Sequence, residues 1–234
     1  MNKGVAMISG ASRGIGAAIA ARLAADGWKV SLGVRGGALP DWAKELAPDS
    51  VMACAYDAAA GDEEARWFQE TRRRFGPVGC IVANAGIVIP KTVIEIEDHE
   101  LAAMMEVNAF APRRLARAAW EDLRANGRGR VAILASLSGK RVKAAPSGSY
   151  AMTKFAAVAL AHGIRHAGFE HGIRATAVCP GFVATDMGLA SSGREAATMT
   201  KPEDLARIVS MLIDLPNEAS VAEFAVNCQA EETF

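Results

Sequence analysis

The sequence contains no run of roughly 18 or more apolar residues and no surplus of charge of either sign. The first absence argues against a transmembrane helix. The second removes the electrostatic reason to expect nucleic acid or an anionic membrane as a partner, because 26 basic residues balance 26 acidic ones. The apolar segment at positions 5–8 is also too short for the core of a signal peptide. We therefore expect a soluble, cytoplasmic protein whose ligands must be inferred from a site.

Cysteine and histidine are scarce and scattered. The sequence has four cysteines, Cys54, Cys80, Cys179 and Cys228, and no Cys-x-x-Cys pair. The first three fall on or beside apolar, strand-like segments, where a thiol is usually a small core residue, so we expect reduced thiols. His162 and His166 have the spacing of two metal ligands on one helix, but no third ligand is evident and we expect no metal.

Short apolar runs alternate with longer helical patterns along all 234 residues. This alternation is typical of β-α-β units and of a parallel sheet covered by helices on both faces. Strands are predicted at 4–9, 29–34, 51–56, 80–83, 130–135, 175–178 and 224–226, and helices at 15–26, 39–46, 63–75, 98–125, 150–168 and 202–215. No repeat or long linker interrupts the pattern. We predict an α/β protein with one domain over residues 1–234 and a doubly wound, seven-stranded parallel sheet.

A glycine-rich segment, Gly10-x-x-x-Gly14-x-Gly16, joins the first predicted strand to the first helix. Glycines let the backbone turn sharply and approach a ligand, while the unpaired N–H groups of the helix start attract phosphate. The pyrophosphate of a dinucleotide fits this place. No Gly-Lys-Ser/Thr follows, which excludes a P-loop for phosphoryl transfer. A plain tight turn is the alternative interpretation.

The second predicted strand is followed by Arg35, with no acidic residue beside it. A site for NAD usually has a carboxylate here for the ribose, whereas an arginine accommodates the 2′-phosphate of NADP. Arg13, within the glycine-rich segment, is a second candidate for the same phosphate. Charge-assisted hydrogen bonds contribute about 1.5–3 kcal/mol each, so two cations predict a preference for NADP(H) over NAD(H). The alternative is that both arginines are only solvated.

Tyr150 and Lys154 open an alanine-rich apolar run and lie four residues apart. On a helix they share one side, so the phenol is expected beside the ammonium. A neighbouring cation favours phenolate, which predicts a Tyr150 pKa lowered from about 10 toward the range of a proton donor and acceptor. Upstream, Ser136 follows a predicted strand. Tyr-x-x-x-Lys alone also fits a surface or packing role.

Two asparagines complete the pattern. The segment Asn84-Ala85-Gly86 follows the fourth predicted strand, where small residues allow a cofactor to lie close and the Asn84 side chain can bridge backbone groups. Asn108 lies four residues before Pro112, which cannot donate a hydrogen bond to the carbonyl of Asn108 and tends to kink the helix. The freed carbonyl is a candidate to hold a water molecule.

Together these motifs resemble the short-chain dehydrogenase/reductase family over nearly the whole chain. They occur in the order Gly10-x-x-x-Gly14-x-Gly16, Asn84-Ala85-Gly86, Asn108, Ser136 with Tyr150-x-x-x-Lys154, and Pro180-Gly181 followed by Thr185. The resemblance implies a single Rossmann-type domain, an NAD(P) cofactor, and hydride transfer between the nicotinamide and a carbonyl or alcohol substrate. It also implies a homodimer or homotetramer built through the helices at 98–125 and 150–168.

The resemblance further assigns roles to residues. Tyr150 is the general acid in reduction and base in oxidation, Lys154 binds the nicotinamide ribose and lowers the Tyr150 pKa, Ser136 hydrogen-bonds the substrate oxygen, and Asn108 holds a water linking Lys154 to solvent. Besides Tyr150 and Lys154, the cofactor-binding positions implied are Gly10, Ser12, Arg13, Gly14, Ile15, Gly16, Arg35, Asp57, Ala58, Asn84, Ala85, Gly86, Pro180, Gly181, Val183 and Thr185.

Some features leave alternatives open. Ser136 lies one position farther from Tyr150 than is frequent in the family, so Ser138 can substitute for it, although Gly139 favours Ser136. The basic segment at 140–143 is either a contact for an anionic substrate or a solvated loop. The resemblance implies that residues 187–200 form a segment that covers the substrate. Its apolar inner side is expected to include Phe182, Leu189 and Met199. A cofactor-binding sensor or an oligomeric scaffold on the same fold are the alternatives to an enzyme.

Overall fold

The structure is a computed structural model that describes residues 3–230, and its centre is a seven-stranded parallel sheet. The strands are β1 (Val5–Ser9), β2 (Lys29–Val34), β3 (Val51–Ala55), β4 (Val78–Ala83), β5 (Arg130–Leu134), β6 (Arg174–Pro180) and β7 (Glu223–Val226). Their order is β3-β2-β1-β4-β5-β6-β7. The predicted α/β fold is confirmed, with every strand end within two residues of its predicted position.

The order of strands reverses between β1 and β4. In open parallel sheets a crevice forms at this point, outside the carboxyl ends of the strands, and ligands bind there. The predicted motifs follow the carboxyl ends of β1, β2, β3, β4, β5 and β6. The topology therefore brings segments that are far apart in the sequence to one edge of the sheet.

Helices cover both faces of this sheet. They are α1 (Gly14–Ala25), α2 (Glu63–Phe75), α3 (Asp98–Met105), α4 (Ala111–Ala118), α5 (Trp120–Ala125), α6 (Gly148–Gly168), α7 (Asp186–Ser192) and α8 (Pro202–Asp214). Among residues 3–230, none of the helices combines the length and the hydropathy needed to cross a bilayer.

Adjacent residues of β1 belong to two separate cores. Ile8 packs with Ile19 of α1 and Val209 of α8, whereas Met7 packs on the opposite face with Trp67 of α2. All five of these side chains are fully buried. Because successive side chains of a strand point to opposite faces, this arrangement requires a sheet enclosed on both sides, as the apolar strand sequences predict.

The helix predicted at residues 39–46 is wrong, because only a single 3₁₀ turn, Asp41–Ala43, forms there. Pro40 precedes the turn in an extended conformation, and the segment is too short to offset the cost of helix nucleation. Trp42 instead donates a hydrogen bond from Nε1 to the carbonyl of Ala11 at 3.2 Å. The segment thus packs against the glycine-rich turn.

The long helix predicted at residues 98–125 is divided. A π-helical segment, Glu106–Phe110, separates α3 from α4 and lies just before Pro112, where a kink was predicted. The N–H of Ala111 donates to the carbonyl five residues earlier, which adds one residue to the turn. This turn places Asn108 in the interior, with 2% of its surface exposed.

Candidate active site

The glycine-rich turn between β1 and α1 is shaped by close backbone contacts. Gly10 has a φ of +66°, in the left-handed region that favours glycine. A Cβ atom built on Gly16 would lie 2.3 Å from the carbonyl oxygen of Gly10 and 2.4 Å from Nδ2 of Asn84. No larger residue fits at Gly16 without moving the backbone. The glycine spacing therefore has a structural cause.

Four hydrogen bonds join this turn to the end of β4. Asn84 Nδ2 donates to the carbonyls of Ser9 and Gly10, each at 3.1 Å. Ser9 Oγ accepts the backbone N–H groups of Asn84 and Ala85, each at 3.0 Å. The predicted bridging by Asn84 is confirmed. Ser9 was not predicted as a site residue, although a hydroxyl at a strand end was a signal for it.

The start of α1 fits the pyrophosphate of a dinucleotide. The helix begins at Gly14 without a side-chain hydrogen bond to its first N–H groups, and Arg13 precedes it in an extended conformation. Ser12 is exposed and Ile15 is partly exposed beside this helix end. Unpaired N–H groups and the positive end of the helix dipole attract anions. The turn, with the small residues around it, therefore forms a cradle for phosphate.

The ends of β2 and β3 lie next to this cradle. Arg35 follows β2, is exposed, and makes no ion pair within residues 3–230. Asp57 follows β3, and its Oδ1 accepts the N–H of Ala59 at 2.9 Å while its own N–H donates to Glu63 at 2.6 Å. Ala58 is buried. An adenosine group placed at these strand ends could contact the Arg35 guanidinium and the small side chain of Ala58.

Arg13 forms an ion pair with Asp186. Its Nη1 donates to Oδ2 of Asp186 at 2.5 Å, and both side chains are largely exposed, at 73% and 72%. The ion pair joins the glycine-rich turn to the first residue of α7. The sequence did not predict this contact, since the two residues are 173 positions apart.

Tyr150 and Lys154 lie one turn apart near the start of α6. Lys154 Nζ lies 5.7 Å from the centroid of the Tyr150 ring, as the helical spacing predicted. Nζ also donates to the carbonyl of Leu134, at the end of β5, at 2.8 Å. Lys154 is 4% exposed. The lysine is thus held inside the protein between β5 and α6.

Ser136, rather than Ser138, has its hydroxyl at the tyrosine. Hydrogen bonding with the Ser136 side chain acts to lower the pKa of the Tyr150 phenol, and the Ser136 hydroxyl donates to the Pro180 carbonyl at 3.5 Å. Ser136 Oγ also accepts the backbone N–H of Ser138 at 3.0 Å, which begins a short 3₁₀ turn, Leu137–Gly139. Ser138 contributes through its backbone. The structure therefore brings Ser136, Tyr150 and Lys154 together.

Burial determines the pKa values of this pair. The predicted lowering of the Tyr150 pKa is wrong for this structure, because desolvation raises it to about 12 and outweighs the hydrogen bond with Ser136. Desolvation likewise lowers the pKa of Lys154 to about 8. The ammonium lies over the ring and bonds to the Leu134 carbonyl, so it gives the phenol oxygen little stabilisation. The spacing predicted proximity correctly but not the cost of removing both groups from water.

The side chain of Asn108 holds the loop after β4 against α6. Its Nδ2 donates to the carbonyl of Ile87 and to Thr153 Oγ1, and its Oδ1 accepts the N–H of Ile87, each at 2.9 Å. A Cβ atom on Gly86 would lie 3.2 Å from Asn108 Oδ1 and 3.6 Å from Lys154 Nζ. Asn108, Gly86 and Lys154 are thus neighbours. Thr153, which the sequence analysis missed, completes the contact.

The segment after β6 turns back over the same edge of the sheet. Pro180 ends β6, Gly181 donates its N–H to the carbonyl of Val226 at 2.8 Å, and Val183 is buried. Thr185 Oγ1 accepts the N–H of Gly188 at 3.1 Å and caps α7. The hydroxyl of Thr185 therefore supports the helix that begins beside Arg13.

Of the three residues predicted for the apolar inner side of the substrate cover at 187–200, only one is buried. Met199 is 5% exposed, whereas Leu189 is 39% exposed. Phe182 is partly exposed, with the Arg194 guanidinium 5.5 Å from its ring centroid. Leu189 on α7 thus lies on the outside in this conformation.

Two residues of the basic segment at 140–143 bind the protein itself. Lys140 forms an ion pair with Glu223 of β7, whose other carboxylate oxygen lies 2.7 Å from His162 Nε2. Arg141 donates to the carbonyl of Leu137 at 3.2 Å. Lys140 therefore anchors the loop, while Lys143 is exposed.

Residues 3–230 contain no cluster of three or more His, Cys, Asp or Glu suited to a metal ion.

Comparison with known families agrees with this geometry. The family model described as short chain dehydrogenase matches residues 4–196. The chain belongs to this family. The fold, the glycine-rich turn and the Tyr-x-x-x-Lys helix are those that the sequence resemblance implied.

Individual relatives extend the match beyond residue 196. Agropine synthesis reductase from Rhizobium rhizogenes is 35% identical over 230 residues, which are 97% of this chain and 53% of that protein. This short-chain dehydrogenase thus spans about half the length of that relative.

Two solved structures are similar over whole chains. An alcohol dehydrogenase from the archaeon Thermococcus sibiricus, complexed with 5-hydroxy-NADP, has a TM-score of 0.85 at 30% identity and covers 97% of this chain and 98% of its own. A metagenomic short-chain oxidoreductase in complex with NADP has a TM-score of 0.79 at 25% identity, with 97% of each chain covered.

Lys154 makes the stability of this short-chain dehydrogenase depend on pH. Its pKa of about 8 lies below the ordinary 10.5, so between these values the unfolded chain binds more protons than the folded one and stability rises with pH. Relative to a Lys154→Met variant, the free energy of unfolding should rise by on the order of 2 kcal/mol from about pH 7 to about pH 10. Urea denaturation at both pH values measures this difference.

The matched control is Lys143→Met, which removes an exposed lysine. Its difference from the native chain should stay constant over the same pH range. If the Lys154→Met difference is equally constant, Lys154 is not desolvated in the folded protein.

Proposed function

We propose that this short-chain dehydrogenase catalyses hydride transfer between NADP(H) and a carbonyl or alcohol carbon of a small-molecule substrate, with Tyr150 as general acid and base. The observation that supports it is the convergence of Ser136, Tyr150 and Lys154 beside a glycine-rich phosphate cradle. When bound, the nicotinamide supplies or accepts the hydride. The protein's own residues position the substrate oxygen and move the proton.

Each residue of the group has a role that its contacts support. Tyr150 gives its phenolic proton to the substrate oxygen in reduction and takes it back in oxidation. Ser136, whose hydroxyl adjoins this phenol, donates a hydrogen bond to the same oxygen and stabilises its developing negative charge. Lys154, which is held beside the Tyr150 ring by the Leu134 carbonyl, binds the ribose hydroxyls of the cofactor.

Asn108 supports a path for proton exchange with solvent. Both hydrogens of its Nδ2 are donated, to the Ile87 carbonyl and to Thr153 Oγ1, and its Oδ1 accepts the N–H of Ile87. Its main-chain carbonyl receives no hydrogen bond from Pro112, which has no N–H. We assign to this carbonyl, as the sequence predicted, the water that links Lys154 to solvent.

The remaining contacts fit a dinucleotide. Gly10, Ser12, Gly14, Ile15 and Gly16 form the pyrophosphate cradle. The adenosine end lies against Arg35, Asp57 and Ala58, and the nicotinamide end against Asn84, Ala85, Gly86, Pro180, Gly181, Val183 and Thr185. The solved relatives with bound NADP or 5-hydroxy-NADP favour this assignment.

The cofactor preference has a direct test. Arg35 and Arg13 are the cations for the 2′-phosphate, and charge-assisted hydrogen bonds from both should make NADPH bind roughly a hundredfold more tightly than NADH. Titration of the purified protein with each reduced cofactor, followed by nicotinamide fluorescence, measures the two dissociation constants. Tighter binding of NADH would refute the assignment.

The activity is tested by NADPH consumption with a panel of aldehydes, ketones and quinones. Turnover of any member supports the proposal and begins to define the substrate class. Tight NADPH binding without consumption across the panel would favour the alternative, a cofactor-binding sensor that regulates a partner. The presence of Asn108, Ser136 and Lys154 around Tyr150 favours the enzyme.

An apolar surface on the outer side of α6 supports a homodimer or homotetramer. Phe155 and Met152 of α6 are 44% and 50% exposed, and Phe110 beside α4 is 48% exposed. On α6, Phe155 and Met152 lie away from the side that carries Tyr150. We assign this surface to a second copy of the chain, and a monomeric mass by light scattering would remove the assignment.

The buried thiols of Cys54, Cys80 and Cys179 form no disulfides, which favours a cytoplasmic location.

A further inference from the structure

The ion pair between Arg13 and Asp186 joins the two segments that enclose the phosphate cradle. Arg13 lies in the turn that precedes α1, and Asp186 is the first residue of α7. The residues next to them are also close, because a Cβ atom built on Gly14 would lie 3.2 Å from the side-chain Cγ2 of Thr185. The pair thus spans a narrow contact, and its guanidinium is one of the two that the proposed function assigns to the 2′-phosphate.

The fold does not depend on this pair. Thr185, not Asp186, caps α7 through the N–H of Gly188, and α1 begins without a side-chain cap from Arg13. Both members are about three-quarters exposed, at 73% and 72%. Exposed pairs of this kind change a folding equilibrium by less than about fivefold. Breaking the pair should therefore leave the protein folded.

The two candidate arginines differ in their availability. Arg35 has no ion-pair partner among residues 3–230, whereas Arg13 already donates to a carboxylate. A phosphate dianion is a stronger partner for guanidinium than a carboxylate is, so it can take Arg13 from Asp186. That exchange lowers the net gain from Arg13. NADH has no phosphate at this position and gains nothing from the exchange.

We propose that Asp186 is a specificity-determining residue that limits the affinity for NADP(H) by competing with the 2′-phosphate for Arg13. This inference rests on the proposed function, because it assumes that NADP(H) binds with its 2′-phosphate near Arg13. Asp186 then reduces the discrimination between the two cofactors. It also makes the start of α7, next to Thr185, responsive to the phosphate.

The test is a titration of four variants with NADPH and NADH: Asp186→Asn, Arg13→Ala, the double variant, and Asp204→Asn. Asp186→Asn should tighten NADPH binding by about two- to fivefold, the usual worth of an exposed pair, and leave NADH binding unchanged. In an Arg13→Ala background, the same Asp186→Asn change should have no effect on NADPH. Asp204→Asn is the matched control, since Asp204 is also exposed, lies in the first turn of α8, and pairs with Arg207 at 2.6 Å.

The results separate the inference from simpler explanations. Tighter NADPH binding by Asp186→Asn that persists without Arg13 would show a plain effect of removing negative charge and would overturn the inference. An unchanged ratio of NADPH to NADH affinity would also overturn it. If the native protein binds NADPH and only the variants fail to respond, the proposed function stands. If the native protein does not bind NADPH, both fail together.

Discussion

Replacing Tyr150 with phenylalanine is expected to lower turnover by about 10² to 10⁴-fold, the usual contribution of a positioned acid. The change removes one oxygen from a side chain that Ser136 and Lys154 adjoin, and it leaves the ring that packs under Lys154. NADPH should still bind. Single-turnover and steady-state rates with the best substrate of the carbonyl panel, together with the NADPH dissociation constant, give the comparison.

Tyr56 provides the matched control, because it is the other tyrosine of the two in the sequence. Its hydroxyl donates to the buried Glu64 at 3.0 Å, far from the proposed chemistry in the contact between β3 and α2. Tyr56→Phe should cost about 1 kcal/mol of stability and leave turnover within about twofold. A Tyr150→Phe variant with the native rate would move the chemistry to another residue.

Gly16→Ala is expected to abolish detectable cofactor binding and to destabilise the protein by about 1–3 kcal/mol. The added methyl group would lie 2.3 Å from the Gly10 carbonyl oxygen and 2.4 Å from Asn84 Nδ2. Both atoms belong to the hydrogen-bond network that closes the turn, so relief of the clash must open the cradle. Thermal denaturation and NADPH titration of the same preparation report the two effects.

Gly163→Ala supplies the comparison for this substitution. Gly163 lies within α6 and has no neighbouring atom within 4 Å of a built Cβ. Alanine is the better helix former, so this variant should be more stable by roughly 0.5–1 kcal/mol and should bind NADPH normally. If Gly16→Ala behaves like Gly163→Ala, the turn is more adaptable than its contacts indicate.

The sequence predicts most of the fold because its signals are local. Apolar strands buried on both faces are nearly continuous in hydrophobicity, and each is followed by a helical pattern, which specifies a parallel sheet. The failure at residues 39–46 is also physical, since Pro40 restricts the backbone before the segment and Trp42 gains a tertiary contact with Ala11. The conformation of so short a segment is determined by its tertiary contacts rather than by its hydrophobic periodicity.

The candidate site was predictable to the extent that spacing determines it. Helical geometry predicts Tyr150 beside Lys154, but no local pattern indicates how deeply the pair is buried, and burial decides the direction of both pKa shifts. The contact of Arg13 with Asp186 depends on how α7 returns to the first turn. No local pattern encodes a contact across that distance.

The carboxylate of Glu223 binds Lys140 on the loop that follows Ser136 and His162 on α6. It belongs to β7, beyond residue 196, where the family match ends. A strand at the edge of the sheet therefore braces the loop beside the proposed catalytic group, so a substitution at Glu223 would release both that loop and α6 from β7.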